Sequence, residues 1–502
     1  MQKVYSIAPW GLHGVVVEVE ANLSRHLPKT ILVGLPDAAV QEARERVWAA
    51  IENSGLTYPR QKVVVNLAPA QIRKEGGAYD LAIAISILAA SKQVILADLR
   101  QAFIGELSLK GEIKSVPGIL VLVSALKDFG FQEVYVPQAN ARELEILSGI
   151  KIIPVKNLLD LIHHLSGRNL LPALETKKLE FQSASSDFDF AEVKGQSQAK
   201  RMLEIAAAGH HNVLLIGSPG AGKTMLAKAF LSILPEPDLD AVLTTSKIYS
   251  LAGLLSEDEP LINRRLMRAP HHSASVAAMV GGGSWPKPGE ISLAHHNVLF
   301  LDEILEFPKT VLEALRQPLE DQVVTVSRAK ASVNYPAKFI LLATANPCPC
   351  GYLLDQDKKC KCSPLEIQRY QKRISGPLLD RIDLHLQVNK VKTEDLILRQ
   401  SQPENSETIR QRVKKAQSKQ QKRLGKSSLN GQMTSTEVKR LCPLDRDLQE
   451  LLSAASERLQ LSARAYFKVL KVARTIADLA GREQIVESDL LEALRYRARI
   501  LS

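Results

Sequence analysis

Cysteine is scarce in this chain: five residues in 502, four of them clustered between positions 348 and 362. So few thiols exclude a disulfide framework. Long apolar runs are missing too. No stretch of about 18 apolar residues occurs, which excludes a membrane-spanning helix. The N-terminal stretch carries one early cation, Lys3, and is broken by Pro9, Gly11 and Gly14. It lacks the pattern of a signal peptide, and a soluble cytoplasmic protein is expected. No short-period internal repeat is present, which leaves out repeat architectures. Acidic residues fall short of basic ones, 54 against 65, for a formal net charge of +11. That excess suits nucleic acid or another anionic surface, although it is spread over a long chain. A chain of 502 residues is too long for one hydrophobic core, so several domains are expected.

What is present is most specific at Gly217, Ser218, Pro219, Gly220, Ala221, Gly222, Lys223 and Thr224, which fit G-x-x-x-x-G-K-[ST] without mismatch. Residues 212–216 before the run read as a buried strand, and 225–234 after it as a helix ended by Pro235. A glycine-rich turn between strand and helix lets backbone N–H groups close around phosphates at a helix N-terminus. Lys223 then reaches the β- and γ-phosphates, and the Thr224 hydroxyl ligates Mg²⁺. ATP or GTP is the expected ligand.

Downstream, residues 298–301 form an apolar strand that ends in Asp302 and Glu303. Such a strand delivers its terminal carboxylates to the crevice where ligands bind. Asp302 is the candidate for holding Mg²⁺, and Glu303 for polarising the attacking water. A further apolar strand, 339–343, leads into Thr344, Ala345 and Asn346. Asn346 can hydrogen-bond the γ-phosphate or the water, or simply open the turn before Pro347. Arg381, in Leu378-Leu379-Asp380-Arg381-Ile382-Asp383, and Arg464, in Ser462-Ala463-Arg464, are candidates for stabilising charge on the transferring phosphoryl group. Each also reads as an ordinary ion-pair arginine.

Together these motifs resemble an AAA+ ATPase of the magnesium-chelatase-like branch. By motif position, the resemblance makes Lys223 and Thr224 Walker A, Asp302 and Glu303 Walker B, Asn346 sensor 1, Arg381 a trans-acting arginine finger and Arg464 sensor 2. Residues 187–196 resemble the segment that borders the adenine. Residues 268–273 and 281–295, rich in Gly, Pro and His, narrow the resemblance to the ComM/YifB family, and it covers nearly the full chain. The resemblance implies that these stretches form a helix-2 insertion facing the pore of a ring. Residues 323–335 resemble a pre-sensor-1 hairpin. Lys287, Arg328 and Lys330 are then candidates for gripping a DNA backbone, since phosphate contacts give affinity without sequence reading. A satisfied structural loop is the competing reading for each.

The fold class expected is α/β in three parts. Residues 1–166 alternate short β-like runs with helices. Their segments 72–80 and 105–113 resemble the Lon protease domain, which has a ribosomal-S5-like fold. Where Lon carries its nucleophilic Ser and basic Lys, this chain has Ala78 and Leu120, neither of which can attack a carbonyl or move a proton. The fold without the peptidase is expected. Residues 167–186 read as a linker, 187–390 as the AAA+ core, 391–432 as a basic linker, and 433–502 as a helical lid carrying sensor 2.

Cys348, Cys350, Cys360 and Cys362 are spaced C-x-C-x₉-C-x-C directly after Asn346. Four thiols suit a structural, tetrahedral Zn²⁺. Free or redox-active thiols are the alternative. The histidine pairs 210–211, 271–272 and 295–296 read as packing or loop residues, and Cys442 as an isolated buried thiol. The family resemblance implies a homo-hexameric, ATP-driven helicase on single-stranded and branched DNA. It would drive branch migration in recombination and natural transformation. A metal-chelatase motor subunit and a protein unfoldase are the alternatives. The Lon-like first domain argues against the former, and Ala78 and Leu120 against a protease-linked form of the latter.

Overall fold

A strand buried on one face alternates its apolar residues, and Lys62–Ala68 does so: Val63, Val65 and Leu67 are buried and their neighbours half-buried. In the computed structural model this strand lies second in a seven-stranded mixed sheet. The order is Lys29–Val33, Lys62–Ala68, His13–Ser24, Val4–Trp10, Gln101–Phe103, Glu133–Pro137, Lys151–Val155. The pairs around His13–Ser24 are antiparallel and the outer ones parallel. Helices Ala38–Asn53, Asp80–Ala90 and Ile119–Asp128 cover it. Residues 80–88 are all buried, which explains why that helix is apolar on every side. The structure describes residues 3–72, 74, 76–96, 100–177, 188–256, 258–283, 286–328, 331–355, 357–391, 404–425 and 427–497.

The chain divides into two compact units, Met1–Glu180 with Val242–Ile262, and Phe181–Ala241 with Asn263–Ser502. In the first, the positions of the Lon dyad belong to an apolar cluster. Leu120 is fully buried among Ile7, Ile104, Ile119 and Val123, and Ala78 packs against the same group.

The second unit is built on a five-stranded parallel sheet. Its strands run Leu384–Gln387, Val213–Ile216, Ile340–Ala345, Val298–Leu301, Met267–Arg268 across the sheet. Numbered along the chain, that order is 5-1-4-3-2. Val213–Ile216, Val298–Leu301 and Ile340–Ala345 are buried at every residue, as parallel strands covered on both faces must be. The third of these extends two residues further than its apolar run, because Thr344 and Ala345 still pair with Leu215 and Ile216. The helix after the glycine-rich turn is Lys223–Phe230, followed by a 3₁₀ turn Leu231–Ile233.

Behind the sheet, helix Ser197–Gly209 meets Ser406–Leu424 and Ala463–Leu479 in one apolar core with Arg446–Arg458 and Glu487–Arg495. The stretch 391–432, read from composition as a linker, carries the 19-residue helix Ser406–Leu424 in its described part. Ile409, Val413, Ala416 and Gln420 face the core, and its basic residues face solvent or carboxylates. Residues 392–403 lie outside the described residues. The fold is therefore α/β, a unit on a seven-stranded mixed sheet and a second unit whose five-stranded parallel sheet is joined by a C-terminal helical part, the layout expected from the sequence.

Candidate functional site

The P-loop leaves the end of Val213–Ile216 with its backbone tied to the neighbouring strand, Gly217 N–H donating to the Ala345 carbonyl at 3.2 Å. A side chain at Gly217 would run into the Val388 carbonyl oxygen, so only glycine fits there. Gly220 and Gly222 have φ of +79° and +86°, a region open to glycine and costly for other residues. The helix that follows directs the positive end of its dipole at the loop. Lys223 is buried. Its amine donates to the carbonyls of Gly217 at 2.5 Å and Ser218 at 3.1 Å, and to Asn346 Oδ1 at 3.1 Å. Burial lowers its pKa, with Asp302 and Glu303 opposing. Pro219 is exposed at the tip, and Ala221 is buried with its carbonyl accepting from Gln196 Nε2 at 3.2 Å.

The second half of the site gathers beside it. Thr224 Oγ1 donates to Asp302 Oδ2 at 3.3 Å, and Thr344 Oγ1 to Asp302 Oδ1 at 2.5 Å. The same Thr344 oxygen accepts from the backbone N–H of Glu303 at 2.9 Å. Asn346 Nδ2 points at Glu303 Oε1 from 3.5 Å. Glu303 itself sits at φ +53°, ψ 52°, a left-handed conformation that costs a non-glycine residue on the order of 1 kcal/mol or more. Lys223, Thr224, Asp302, Glu303 and Asn346, drawn from three adjacent strand ends, thus converge. The oxygens of Thr224 and Asp302 are hard ligands of the type Mg²⁺ takes, and they already face one another.

The two arginines lie together elsewhere in the same unit. Arg381, nearly buried, and Arg464, more than half exposed, both donate to Glu320, Arg464 Nη2 at 2.6 Å from Oε1 and Arg381 Nη2 to Oε2. They line a cavity of about 540 Å³ that also takes in Asn212, Asp383, Lys468 and Lys471, and none of residues 217–224 lines it. Lys468 braces the wall, its amine 2.6 Å from Asp383 Oδ1 and from the Arg381 carbonyl. Burial pushes that amine down to about 8 against the pull of Asp383.

Past Asn346, the sulfurs of Cys348, Cys350, Cys360 and Cys362 all lie within 4.8 Å of one another. Cys348 is 3.4 Å from Cys350 and 3.7 Å from Cys360, and Cys350 is 3.6 Å from Cys360. Sulfurs at the corners of a tetrahedron with bonds of about 2.3 Å would be about 3.8 Å apart. Three of the four sulfurs therefore already have nearly the spacing of a thiolate metal site, the Cys362 sulfur lies within 4.8 Å of each, and all are free thiols.

The DNA candidates are less fully placed. Lys287 is exposed on a two-residue strand, Lys287–Pro288, that pairs with Gly281–Gly282. Hairpin strands Val323–Arg328 and Ala331–Pro336 form as expected, and Tyr335 Oη anchors them to the Pro286 carbonyl at 2.7 Å. The Arg328 side chain and Lys330 lie outside the described residues. His211 and His295 are buried, His271 is exposed, and Cys442 is buried.

Three residues at these sites were not singled out by sequence. Thr344 holds the Asp302 carboxylate and the Glu303 backbone N–H. Glu320 joins the arginines. Gln196 ties the P-loop to the Asn389 carbonyl. Thr344 had a signal, its place two residues before Asn346 at a strand end. Glu320 had none, since its partners are 61 and 144 residues away.

A 5-1-4-3-2 sheet, a P-loop on its first strand, between strands 5 and 4, and an acidic pair on the third define a AAA+ protein of the magnesium-chelatase type. Family models agree. "Magnesium chelatase, subunit ChlI" matches residues 189–396, "Subunit ChlI of Mg-chelatase" residues 19–140, and "Magnesium chelatase, subunit ChlI C-terminal" residues 403–497. The chain is 43% identical to competence protein ComM of Haemophilus influenzae, over 99% of this chain and 97% of that one. It is 41% identical to YifB of Escherichia coli, over 99% and 96%. Chloroplastic magnesium-chelatase subunit ChlI-2 of Arabidopsis thaliana is 23% identical over 71% of this chain and 87% of its own. The chain belongs to the ComM/YifB family.

Proposed function

We propose that the protein is an ATP-hydrolysing, ring-forming motor that acts on DNA, a helicase that drives branch migration during recombination and the integration of transforming DNA. The observation that carries the motor reading is the split between its two charged clusters. The P-loop, Asp302, Glu303 and Asn346 form one group, while Arg381 and Arg464 are held together on Glu320 in another. A second copy of the chain would bring its arginines to the first group, so the site is completed between copies.

In this reading Lys223 and the P-loop backbone hold the triphosphate, and Thr224 and Asp302 hold Mg²⁺, which when bound neutralises phosphate charge. Glu303 takes the proton of the attacking water, with Asn346 fixing its carboxylate. Arg381 and Arg464 of the adjoining copy stabilise charge on the transferring phosphoryl group. The cysteines hold one structural Zn²⁺ per chain.

The DNA part rests on a different footing: similarity to a protein named for competence, the net charge of +11, and the insertion bearing Lys287. ATPase rates measured alone, with single-stranded DNA and with a four-way junction test it. Stimulation by DNA together with junction unwinding is the expected result. ATPase activity indifferent to every DNA would reject the helicase and favour the chelatase-type motor, the reading supported by the family-model matches.

A further inference from the structure

The cysteine cluster is built onto the phosphate loop. Gly351, at φ +83°, lies so close to the P-loop that a Cβ there would be 2.6 Å from Pro219 Cδ. The Asp355 side chain is 1% exposed and lies beside the Ser218 side chain of the P-loop. It also accepts from the backbone N–H groups of Asp357 at 2.9 Å and Lys358 at 3.1 Å, and pairs with Lys390 at 2.7 Å. Lys390 and Lys358 in turn stand over the Tyr352 ring, 5.9 and 5.0 Å from its centroid. At the loop's other end, Asn346 contacts Lys223, and Gln371 Nε2 donates to the Pro347 carbonyl at 3.0 Å.

None of the described residues between 347 and 363 belongs to a helix or strand. An irregular segment of this length has no helix or strand ladder to hold its shape, so cross-links count for more, and the sulfur cluster sits where a metal would close it on itself. The surface that closure shapes is the one touching Ser218 and Pro219.

We infer that metal on the four cysteines and nucleotide on the P-loop are energetically coupled: zinc latches residues 348–362 against Ser218 and Pro219, so that the zinc-loaded chain binds nucleotide more tightly. Linkage makes the effect reciprocal, so bound nucleotide must tighten zinc binding by the same factor, and holding the same seam closed is expected to slow zinc loss. This inference rests on the proposed zinc occupancy and adds to it a function for the metal.

The test uses the full chain. Zinc per chain is measured by elemental analysis. The affinity for a fluorescent ADP is then titrated before and after treatment with a zinc-selective chelator. Separately, zinc release on thiol modification is timed with and without ADP. One zinc per chain, ADP binding weakened roughly 5- to 100-fold on zinc removal, and slower release with ADP are expected. Because the stripped chain can lose its fold locally, Asp355→Ala provides a second measurement. It keeps all four thiols, so it should retain zinc, bind ADP more weakly and lose the protection that ADP gives the metal. Full zinc content with ADP affinity and zinc release independent of each other would overturn the coupling and leave the zinc site standing. A chain without metal would overturn both.

Discussion

Glu303 holds a strained backbone at the end of a buried strand, φ +53°, and two neighbours make that conformation useful. Thr344 takes its N–H, and Asn346 approaches its carboxylate. Strain of this kind persists where the surroundings fix it, and here it aims one carboxylate while Asp302 stays on Thr224. Glu303→Gln keeps the shape and removes the base. Nucleotide binding should be unchanged and turnover should fall by at least about 10²-fold, the usual worth of a general base. Wild-type hydrolysis by purified Glu303→Gln would refute that role. In the first unit, Asp80 carries a different residue-level consequence. Its carboxylate is buried, receives Arg46 Nε at 2.8 Å and the Leu107 N–H at 3.2 Å, and is still pushed up to about 6, because burial outweighs the Arg46 pairing. A folded-state value above the ordinary 3.8 means stability that is whole below about pH 4 and is lost as pH rises through 6. The loss is on the order of 3 kcal/mol. Asp80→Asn should flatten this part of the pH dependence. Urea midpoints of wild type and variant between pH 4 and 7 would show it, and parallel curves would contradict it.

At the scale of elements, the nucleotide site is a product of strand ends. Gly217 lets the P-loop strand pass the Val388 carbonyl, and a methyl at that position has nowhere to go. Gly217→Ala should therefore displace the loop, abolish measurable nucleotide binding and destabilise the second unit by about 1–3 kcal/mol, the usual cost of overpacking. Unaltered ADP titration and melting would mean the loop has slack. The same strand ends explain what was legible in the sequence. Val213–Ile216, Val298–Leu301 and Ile340–Ala345 are apolar runs closed by polar residues that must then lie at one edge, so Lys223, Asp302 and Asn346 could be placed together without coordinates. The helix Ser406–Leu424 was not legible as a core element. Its buried residues are Ser406, Ile409, Val413, Ala416 and Gln420, only three of them apolar, so its apolar stripe is thin and its composition reads as a polar linker. Glu320 was invisible for a different reason, because an ion pair between side chains far apart in sequence leaves no local pattern. The cysteine cluster was legible as a ligand set, but its seam with Ser218 and Pro219 depends on the path of an irregular loop that no periodicity encodes.

On the scale of the whole molecule, one chain keeps its phosphate cradle and its two arginines in separate clusters, so an isolated copy has no guanidinium from Arg381 or Arg464 at its own P-loop in this arrangement. Glu320 holds both arginines parked on the chain that owns them, and a neighbour's triphosphate would have to compete with that carboxylate for them. If the proposed ring is real, each catalytic site needs Lys223 from one copy and Arg381 from the next. Lys223→Ala and Arg381→Ala should each be inactive as pure rings. Mixed at equal amounts, half of all positions offer an intact P-loop and half of the adjoining positions an intact finger, so roughly a quarter of interfaces are complete and about that share of wild-type ATPase should return. Because Arg381 is largely buried, melting curves must first show that Arg381→Ala folds. Mass measurement must show that mixed rings form. Recovery near a quarter places the finger in trans. No recovery in verified mixed rings would assign Arg381 to its own chain's structure, with its pairing to Glu320 as its purpose rather than its resting place.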